Sequence, residues 1–427
     1  MDRESNKKLK ILEKSEIDLE NYISPYKGHA KIDRLLFISN NCPSLRVESL
    51  RLLIPEYLNT GYIDKYQDAV RRLNHELESN HEPTIDLDVD WISKTSHTIS
   101  EKMATLESEL ASYKSNLIKE SIRMGHNDLG DHYYYVGDLQ SALKCYTNTR
   151  DYLTIPYHIV EMCMNIIQTS LELNQYHNIQ SYILKIRQAP NIPEKEESLL
   201  RLFAVSGLIY MESASFKAAA KEFLQVPFSV AESLWKHINA KDIAIYGGLC
   251  ALSSFDRQEL KSLVIDNADF KQYLELEPQI RDLIYAFYSS KFSEGFRILE
   301  NLKNELSLDM YLNKHIESLF VQIRNRALIQ YCMPFVSVDM HRMKGVFGYS
   351  IQELEANIAQ LIASNSIDCR IDSHNKIIRA NQSHQRTTLY NNAIEMGKGY
   401  QIAANYVLMR SKLIQANMTL NPKIKEN

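Results

Sequence analysis

Apolar residues recur along most of this chain at the three- and four-residue spacing of helices that are apolar on one side. One such stripe steps by 4, 3, 4 and 4 residues and comprises Leu312, Ile316, Leu319, Ile323 and Ala327. It predicts an amphipathic helix over residues 307–331 that packs against a neighbour. Pro334 follows, and a proline pushes the residue before it out of the α region. We therefore predict a mainly α-helical chain with a boundary near residue 332.

A recurring spacing of small and aromatic residues in the middle of the chain indicates stacked helical hairpins of the tetratricopeptide type. The first set is Gly130, Tyr133, Gly137, Ala142 and Tyr146, and the second is Gly207, Tyr210, Ala219 and Phe223. In such hairpins, small residues let two antiparallel helices approach, and aromatic side chains fill the gap between them. The first glycines of the two sets are 77 residues apart, close to two hairpins of about 34 to 40 residues each.

Beyond residue 332 the pattern changes to short helices followed by alternation. Residues 338–346 predict a short helix, and Ser350 with Glu353 forms a capping box that starts another. The stretch 367–380 predicts a β-hairpin, because apolar and charged residues alternate on both sides of a turn. Three helices and a hairpin in this order indicate a winged helix over residues 327–390.

The predicted hairpin has a free edge that another chain could extend. The interface residues that we predict on this edge are Cys369, Arg370, Ile371, Lys376, Ile377, Ile378 and Arg379. The alternative is that other parts of the same chain cover it. For the apolar stripes of the repeats, we favour cover by other helices of the same chain. For this edge we favour a partner protein, because little chain follows the hairpin.

A last apolar face predicts a long helix within residues 391–427, followed by a frayed tail. Its residues are Met396, Tyr400, Ala403, Val407 and Ile414. We predict that a partner covers this face too, because little chain follows it. The remaining regions are then a looser N-terminal helical region over residues 1–120 and the helical repeats over 121–326.

Charge and cysteine content argue against several classes of protein. The net charge of -4 disfavours binding to nucleic acid or anionic membranes through a bulk positive field. The second helix of the winged helix carries Glu353 and Glu355 but no basic residue, so nucleic-acid binding is the weakest alternative.

The six cysteines lack CxxC spacing, which disfavours a disulfide framework or a zinc ribbon. With no apolar leader or membrane-spanning stretch, we expect a soluble protein of the nucleus and cytoplasm.

Asp86, Asp88 and Asp90 have the opening pattern of a calcium loop. However, Trp91 stands where that loop requires glycine, and His97 stands where it requires a bidentate glutamate.

A second set of candidate ligands, His126, Asp128, Asp131, His132 and Cys145, falls within the first repeat unit. Packed or solvated helix residues explain this set better than a metal does. The chain also lacks H-x-H, H-E-x-x-H, a phosphate-binding P-loop and a nucleophile elbow. We predict no catalytic residues, no metal and no cofactor.

Long segments of the chain resemble the PCI-domain family, which the proteasome lid, the COP-9 signalosome and translation initiation factor three share, and they are most similar to its signalosome members. The segments are DLENYISPYKGHAKIDRLLFISNNCPSLRVESL from Asp18, GHNDLGDHYYYVGDLQSALKCYTNTRDY from Gly125, IYGGLCALSSFDRQEL from Ile245, LELEPQIRDLIYAFY from Leu274 and IRNRALIQYCMPFVSVDMHRM from Ile323. The resemblance runs from about Asp18 to Met409. It implies a PCI domain whose helical part begins near residue 235.

The resemblance implies a non-catalytic scaffold in a complex that removes Nedd8 from cullins and so regulates cullin-RING ubiquitin ligases. Its implied partners are other PCI subunits and the metalloprotease subunit that holds the zinc site, with cullin-RING ligases as substrates of the whole complex. Members of the family associate through winged-helix edges and bundle their C-terminal helices. The alternative is the paralogous helical subunit of the proteasome lid. The segment GGLCALSSFDRQEL and the tyrosines at 133–135 favour the signalosome.

Overall fold

A computed structural model describes residues 18–188, 193–233, 238–381 and 385–416. Helices dominate these residues, and a three-stranded sheet follows them, which confirms the predicted helical repeats followed by a winged-helix module. The chain divides into two units, residues 1–331 and 332–427. The start of the predicted N-terminal region, residues 1–17, and the predicted tail from residue 417 lie outside the described residues.

The first unit begins with a bundle of helices that has its own core. Its elements are α1 Leu19–Ile23, α2 His29–Asn41, a 3₁₀ turn Pro43–Leu45, α3 Arg46–Leu58 and α4 Ile63–Ser79. Leu35, Leu53 and Leu73, one from each of the three longer helices, have no exposed surface. The expectation of a looser N-terminal region is therefore wrong for these helices, because their apolar faces converge on one core.

The repeats follow as antiparallel helical hairpins. Their helices are α5 Val89–Asn116, α6 Lys119–Val136, α7 Leu139–Asn148, α8 Pro156–Glu172, α9 Tyr176–Gln188, α10 Pro193–Glu212 and α11 Phe216–Phe223, with 3₁₀ turns Thr149–Tyr152 and Phe228–Ser233. α6 pairs with α7, α8 with α9 and α10 with α11. The residues between the two predicted repeat units thus form a hairpin of their own.

The predicted glycines lie where the paired helices touch. A Cβ atom on Gly130 of α6 would lie 2.7 Å from the ring of Tyr146 on α7, and one on Gly207 of α10 would lie 2.6 Å from the ring of Phe223 on α11. Both hairpins therefore use the same contact, in which an aromatic ring occupies the space that the glycine leaves. Gly137 has a different role, because it ends α6 with φ at 94°, in the left-handed region that favours glycine.

The remaining predicted repeat residues take part in the same packing. Ala142 and Ala219 are fully buried, and Tyr133 and Tyr210 are half-buried. The Tyr146 hydroxyl also donates to Asp131 Oδ1 at 2.6 Å, which fixes its ring against α6.

Further helices complete the first unit. They are α12 Ala240–Ser254, α13 Arg257–Glu259, a π-helical turn Leu260–Ile265, α14 Ala268–Leu276, α15 Pro278–Tyr288, α16 Phe292–Ser307 and α17 Ile316–Cys332. The predicted helix over residues 307–331 begins later than expected. The carboxylate of Asp309 accepts hydrogen bonds from the Tyr311 and Leu312 amides at 2.8 and 3.0 Å, which forms a turn before α17.

A buried charge cluster joins α2 to distant parts of the first unit. Arg34 is 1% exposed, and its Nη1 and Nη2 atoms lie 2.7 Å from Asp309 Oδ2 and 3.0 Å from Asp242 Oδ2. The Tyr26 hydroxyl donates to Asp242 at 2.5 Å, and the Tyr246 hydroxyl donates to Asp309 at 2.7 Å. Burial raises the pKa of the Asp242 carboxyl, and the adjacent Arg34 charge opposes that rise. The cluster therefore depends on the arginine to keep two buried carboxylates compensated.

The second unit contains the sheet and the last helix. Its elements are β1 Ser337–Asp339, α18 Met340–Phe347, α19 Ile351–Ala363, β2 Cys369–Asp372, β3 Ile377–Ala380 and α20 Gln385–Gln415. The strands are antiparallel in the order β1-β3-β2. The predicted capping box is confirmed, because Ser350 and Glu353 exchange hydrogen bonds of 3.1 and 3.2 Å. The predicted helix over 338–346 is wrong at its start, where Val338 lies in β1 opposite Ile378.

Replacing Ile378 with aspartate will unfold the winged-helix module. Ile378 is 1% exposed in the middle strand, and an unpaired carboxylate there has no partner to offset its desolvation. Hydrogen exchange read by mass spectrometry should show rapid exchange across residues 337–380 and unchanged protection in the first unit. The control is Arg379→Asp, since Arg379 is the adjacent residue and is exposed. Retained protection in the Ile378 variant would contradict the prediction.

Candidate functional site

The sheet of the second unit offers two edges, and neither of them is β3. Ile378 pairs with Val338 on one side and with Ile371 on the other, so the middle strand is occupied on both sides. Ile377, Ile378 and Arg379, which the hairpin pattern placed on a free edge, therefore do not lie on one. β1 was missed because it has three residues and comes directly before a helix, so its alternation is short.

The free edge of the hairpin is the outer side of β2. Asn381 N donates to Asp368 O at 3.0 Å, and bonded pairs alternate along an antiparallel ladder. The backbone groups of Arg370 consequently point toward β3, while those of Cys369 and Ile371 point outward. Two of the predicted residues thus carry the open edge, and their role in binding remains a prediction.

The side chains of the predicted edge residues differ in exposure. Arg370 and Arg379 are exposed, Ile371 and Ile377 are half-buried, and Cys369 is buried. Lys376 lies in the turn with φ at 55°, and its Nζ atom donates to Glu355 Oε2 at 3.0 Å. Among the predicted edge residues, the fully exposed side chains are therefore the two arginines, and the apolar ones are at least half-buried.

Sequence reasoning missed β1 as an edge. Ala380 N donates to Val336 O at 2.9 Å, and the same alternation turns the backbone groups of Ser337 and Asp339 outward. The signal available in the sequence was the alternation of Val336 and Val338 after Pro334, since β-branched residues after a proline are typical of an edge strand.

The apolar face of α20 is open to solvent. Met396, Tyr400, Val407 and Ile414 are 77%, 79%, 68% and 63% exposed, and Ala403 is exposed between them. The first four residues of this face step by 4, 3 and 4 positions, and the last lies seven beyond Val407. This is the spacing of the a and d positions that interlock with a neighbouring helix.

Further apolar residues of α20 lie outside this seam. Ile402, Tyr406, Leu408 and Met409 are all more than half exposed. A helix with apolar residues on several sides is normally enclosed by other helices. Among the side chains described on α20, even the most covered ones, Ala404 and Leu413, are half-buried. The helix therefore has room for more than one neighbour.

The candidate metal ligands of the sequence do not assemble into a site. No group of three or more His, Cys, Asp or Glu side chains that could hold an ion occurs within the described parts of the chain. Asp88 instead caps α5 by accepting a hydrogen bond from the Trp91 amide at 2.9 Å. His126 and His132 are buried on α6, where burial lowers the pKa of both imidazoles.

The cysteines are shielded from solvent. All six are free and buried, and burial raises the pKa of the Cys250 thiol to about 12. A thiol with such a pKa is not ionised near neutral pH and is a poor nucleophile.

None of the helices in the described parts of the chain combines the length and the apolar character that a membrane-spanning segment needs.

Two family models match the chain. Residues 88–263 match the model described as 26S proteasome subunit RPN7, which corresponds to the stretch from the start of α5 into the π-helical turn. Residues 299–382 match the PCI domain, which includes α17 and the three strands of the sheet.

Several curated proteins are similar to nearly the whole chain. COP9 signalosome complex subunit 1 of Arabidopsis thaliana is 41% identical over 415 residues, which cover 96% of this chain and 93% of that protein. Subunit 1b of Drosophila melanogaster is 36% identical over 468 residues, covering 98% and 89% of the two chains. Subunit 1 of Emericella nidulans is 33% identical over 426 residues, covering 97% and 85%. The chain belongs to the COP9 signalosome complex subunit 1 family.

Proposed function

We propose that this chain is a non-catalytic scaffold subunit of the COP9 signalosome in the nucleus and cytoplasm. In that role it supports the removal of Nedd8 from cullins and so regulates cullin-RING ubiquitin ligases. The observation that carries the proposal is α20, a helix of 31 residues with an exposed apolar seam in a chain of the subunit 1 family. A helix of this kind gains its stability from packing, which points to neighbours in an assembly.

Two surfaces suit this role. The seam of Met396, Tyr400, Ala403, Val407 and Ile414 would pack against C-terminal helices of other PCI subunits and of the metalloprotease subunit. The outer side of β2 would pair with a strand of a neighbouring winged helix, since an open edge can be extended by another chain. In this arrangement, the metalloprotease subunit supplies the chemistry, and cullin-RING ligases are substrates of the whole complex.

The second candidate is a subunit of the proteasome lid. The match of residues 88–263 to the RPN7 model favours it, because that model is named for a proteasome subunit. Against it, this match covers residues 88–263 only. The similarity to the signalosome proteins covers 96% or more of the chain in the relatives given above. Repeat helices share apolar spacing across such families, so the longer similarity carries more weight.

Affinity purification of the tagged full-length chain, followed by mass spectrometry, tests the proposal. We expect the other signalosome subunits, including the metalloprotease, and neddylated cullins as substoichiometric companions. Recovery of proteasome subunits in their place would reject the signalosome assignment. An untagged strain provides the background control.

The non-catalytic part of the proposal has its own test. The purified chain should leave a neddylated cullin uncleaved, while the complex that it co-purifies with should cleave it. Zinc-dependent cleavage by the isolated chain would contradict this expectation.

A further inference from the structure

Half of the eight residues that line an open cleft in the N-terminal bundle are basic. The cleft has a volume of about 380 Å³ and lies between the end of α2, the start of α3 and the second half of α4. Its basic residues are Arg46, Arg71, Arg72 and His75, and its acid is Glu76. A concave surface with one dominant sign of charge concentrates the electrostatic potential and attracts ions of the opposite sign.

Hydrogen bonds within the protein hold two of these guanidinium groups in place but occupy only some of their N–H donors. Arg46 donates from Nε to the Ser39 carbonyl oxygen at 2.9 Å and from Nη1 to Glu76 Oε1 at 2.8 Å. Arg72 Nη2 lies 2.8 Å from Asp68 Oδ2. A guanidinium carries five N–H donors, so most donors of both side chains remain available to a ligand. Their fixed positions lower the entropy that binding would cost.

The third guanidinium is less engaged. Arg71 Nη1 lies 3.8 Å from Asp68 Oδ1, which is too far for a hydrogen bond. His75 follows four residues later, and residues at this spacing are neighbours on a helix. The three arginines outnumber Asp68 and Glu76, which leaves one net positive charge with His75 neutral and more if it is protonated. The cleft therefore retains positive charge after its internal ion pairs are counted.

We propose that this cleft binds a phosphate monoester. Such a group carries up to two negative charges and three terminal oxygens, which three guanidinium groups can contact separately, whereas a carboxylate offers two oxygens in one plane. Arginine also matches phosphate geometry through paired donors. The volume of about 380 Å³ exceeds that of the phosphate alone and admits part of its carrier, either a phosphorylated peptide or a small organic phosphate. This inference is independent of the proposed function.

Fluorescence anisotropy of the purified full-length chain tests the site. The probes are a labelled decapeptide with a central phosphoserine, its unphosphorylated form, and unlabelled glycerol 2-phosphate as a competitor. We expect the phosphopeptide to bind at least tenfold more tightly than the unphosphorylated form, with affinity that falls as salt rises. Arg71→Ala with Arg72→Ala should weaken this binding at least tenfold. Both side chains are more than half exposed, so the fold should persist, and circular dichroism checks it.

The matched control is Arg51→Ala. Arg51 lies on α3 of the same bundle and pairs with Glu82 at 2.5 Å, and it is not among the residues that line the cleft. Binding that survives in this variant and is lost in the double variant supports the site. If glycerol 2-phosphate binds in the same residue-dependent way and the peptide does not, the site serves small phosphates. The proposal would be overturned if neither the phosphopeptide nor glycerol 2-phosphate bound at millimolar concentration. Equal binding by the double variant and the wild type would also overturn it.

Discussion

Replacing Arg34 with alanine will lower the free energy of unfolding of the first unit by about 3–5 kcal/mol, the usual result of breaking a buried ion pair from one side. The guanidinium compensates Asp242 and Asp309, which are 3% and 6% exposed. Its loss leaves both carboxylates desolvated without a counter-charge. Thermal and denaturant unfolding of the full-length chain will measure the change.

The matched control is Lys31→Ala on the same helix. Lys31 pairs with Glu56 at 2.6 Å, but both side chains are about a quarter exposed, and pairs near the surface contribute about 0–1 kcal/mol. If the Arg34 variant lost less than about 1 kcal/mol of unfolding free energy, as the control should, the cluster would not be a major source of stability.

The loss of unfolding free energy in the Arg34→Ala variant, called the deficit below, should also depend on pH. Burial already raises the pKa of Asp242 against the opposing charge of Arg34, so removal of the arginine will raise it further. A carboxyl whose folded pKa exceeds its unfolded value stabilises the fold in its protonated form and loses that contribution as pH rises through the folded pKa. The deficit should therefore be largest near neutral pH and shrink toward pH 5. A deficit that grows with acid would contradict this account.

Replacing Tyr400 and Val407 with aspartate will abolish incorporation of the chain into its complex while leaving the chain folded. The two side chains are 79% and 68% exposed, and substitutions at exposed positions usually change stability by less than about 0.5 kcal/mol. Within an assembled seam, however, the two carboxylates would be desolvated without partners. We expect recovery of the other subunits to fall at least tenfold in an affinity purification.

The control places the same charges on the opposite side of α20. Gln401→Asp and Asn405→Asp are one helical turn apart and exposed, and they point away from the seam by about half a turn. Their variant should recover far more of the partners than the seam variant does. Truncation after Tyr390 should reproduce the loss. Equal recovery for both aspartate pairs would show that the seam is not the docking surface.

Local spacing was enough to predict the repeats and the last helix. Gly130 and Tyr146 meet across one hairpin, as Gly207 and Phe223 do across another, so both contacts lie within a single unit of the pattern. The seam of α20 is likewise readable, because the 4, 3 and 4 spacing fixes which side chains share a face whatever surrounds the helix. The start of α20 at Gln385 was not predicted, because the first apolar residue of the seam is Met396.

Pairing between distant segments was decided by the tertiary structure. β3 is the middle strand because β1 reaches it from about forty residues earlier, and three residues of strand leave little alternation to detect. Arg34 showed a signal, a charge that lies between Ala30 and Ile38 on the apolar side of α2. Its partners, however, are 208 and 275 residues away. Periodicity specifies the faces of one element, whereas the choice of which faces meet depends on the packing of the whole unit.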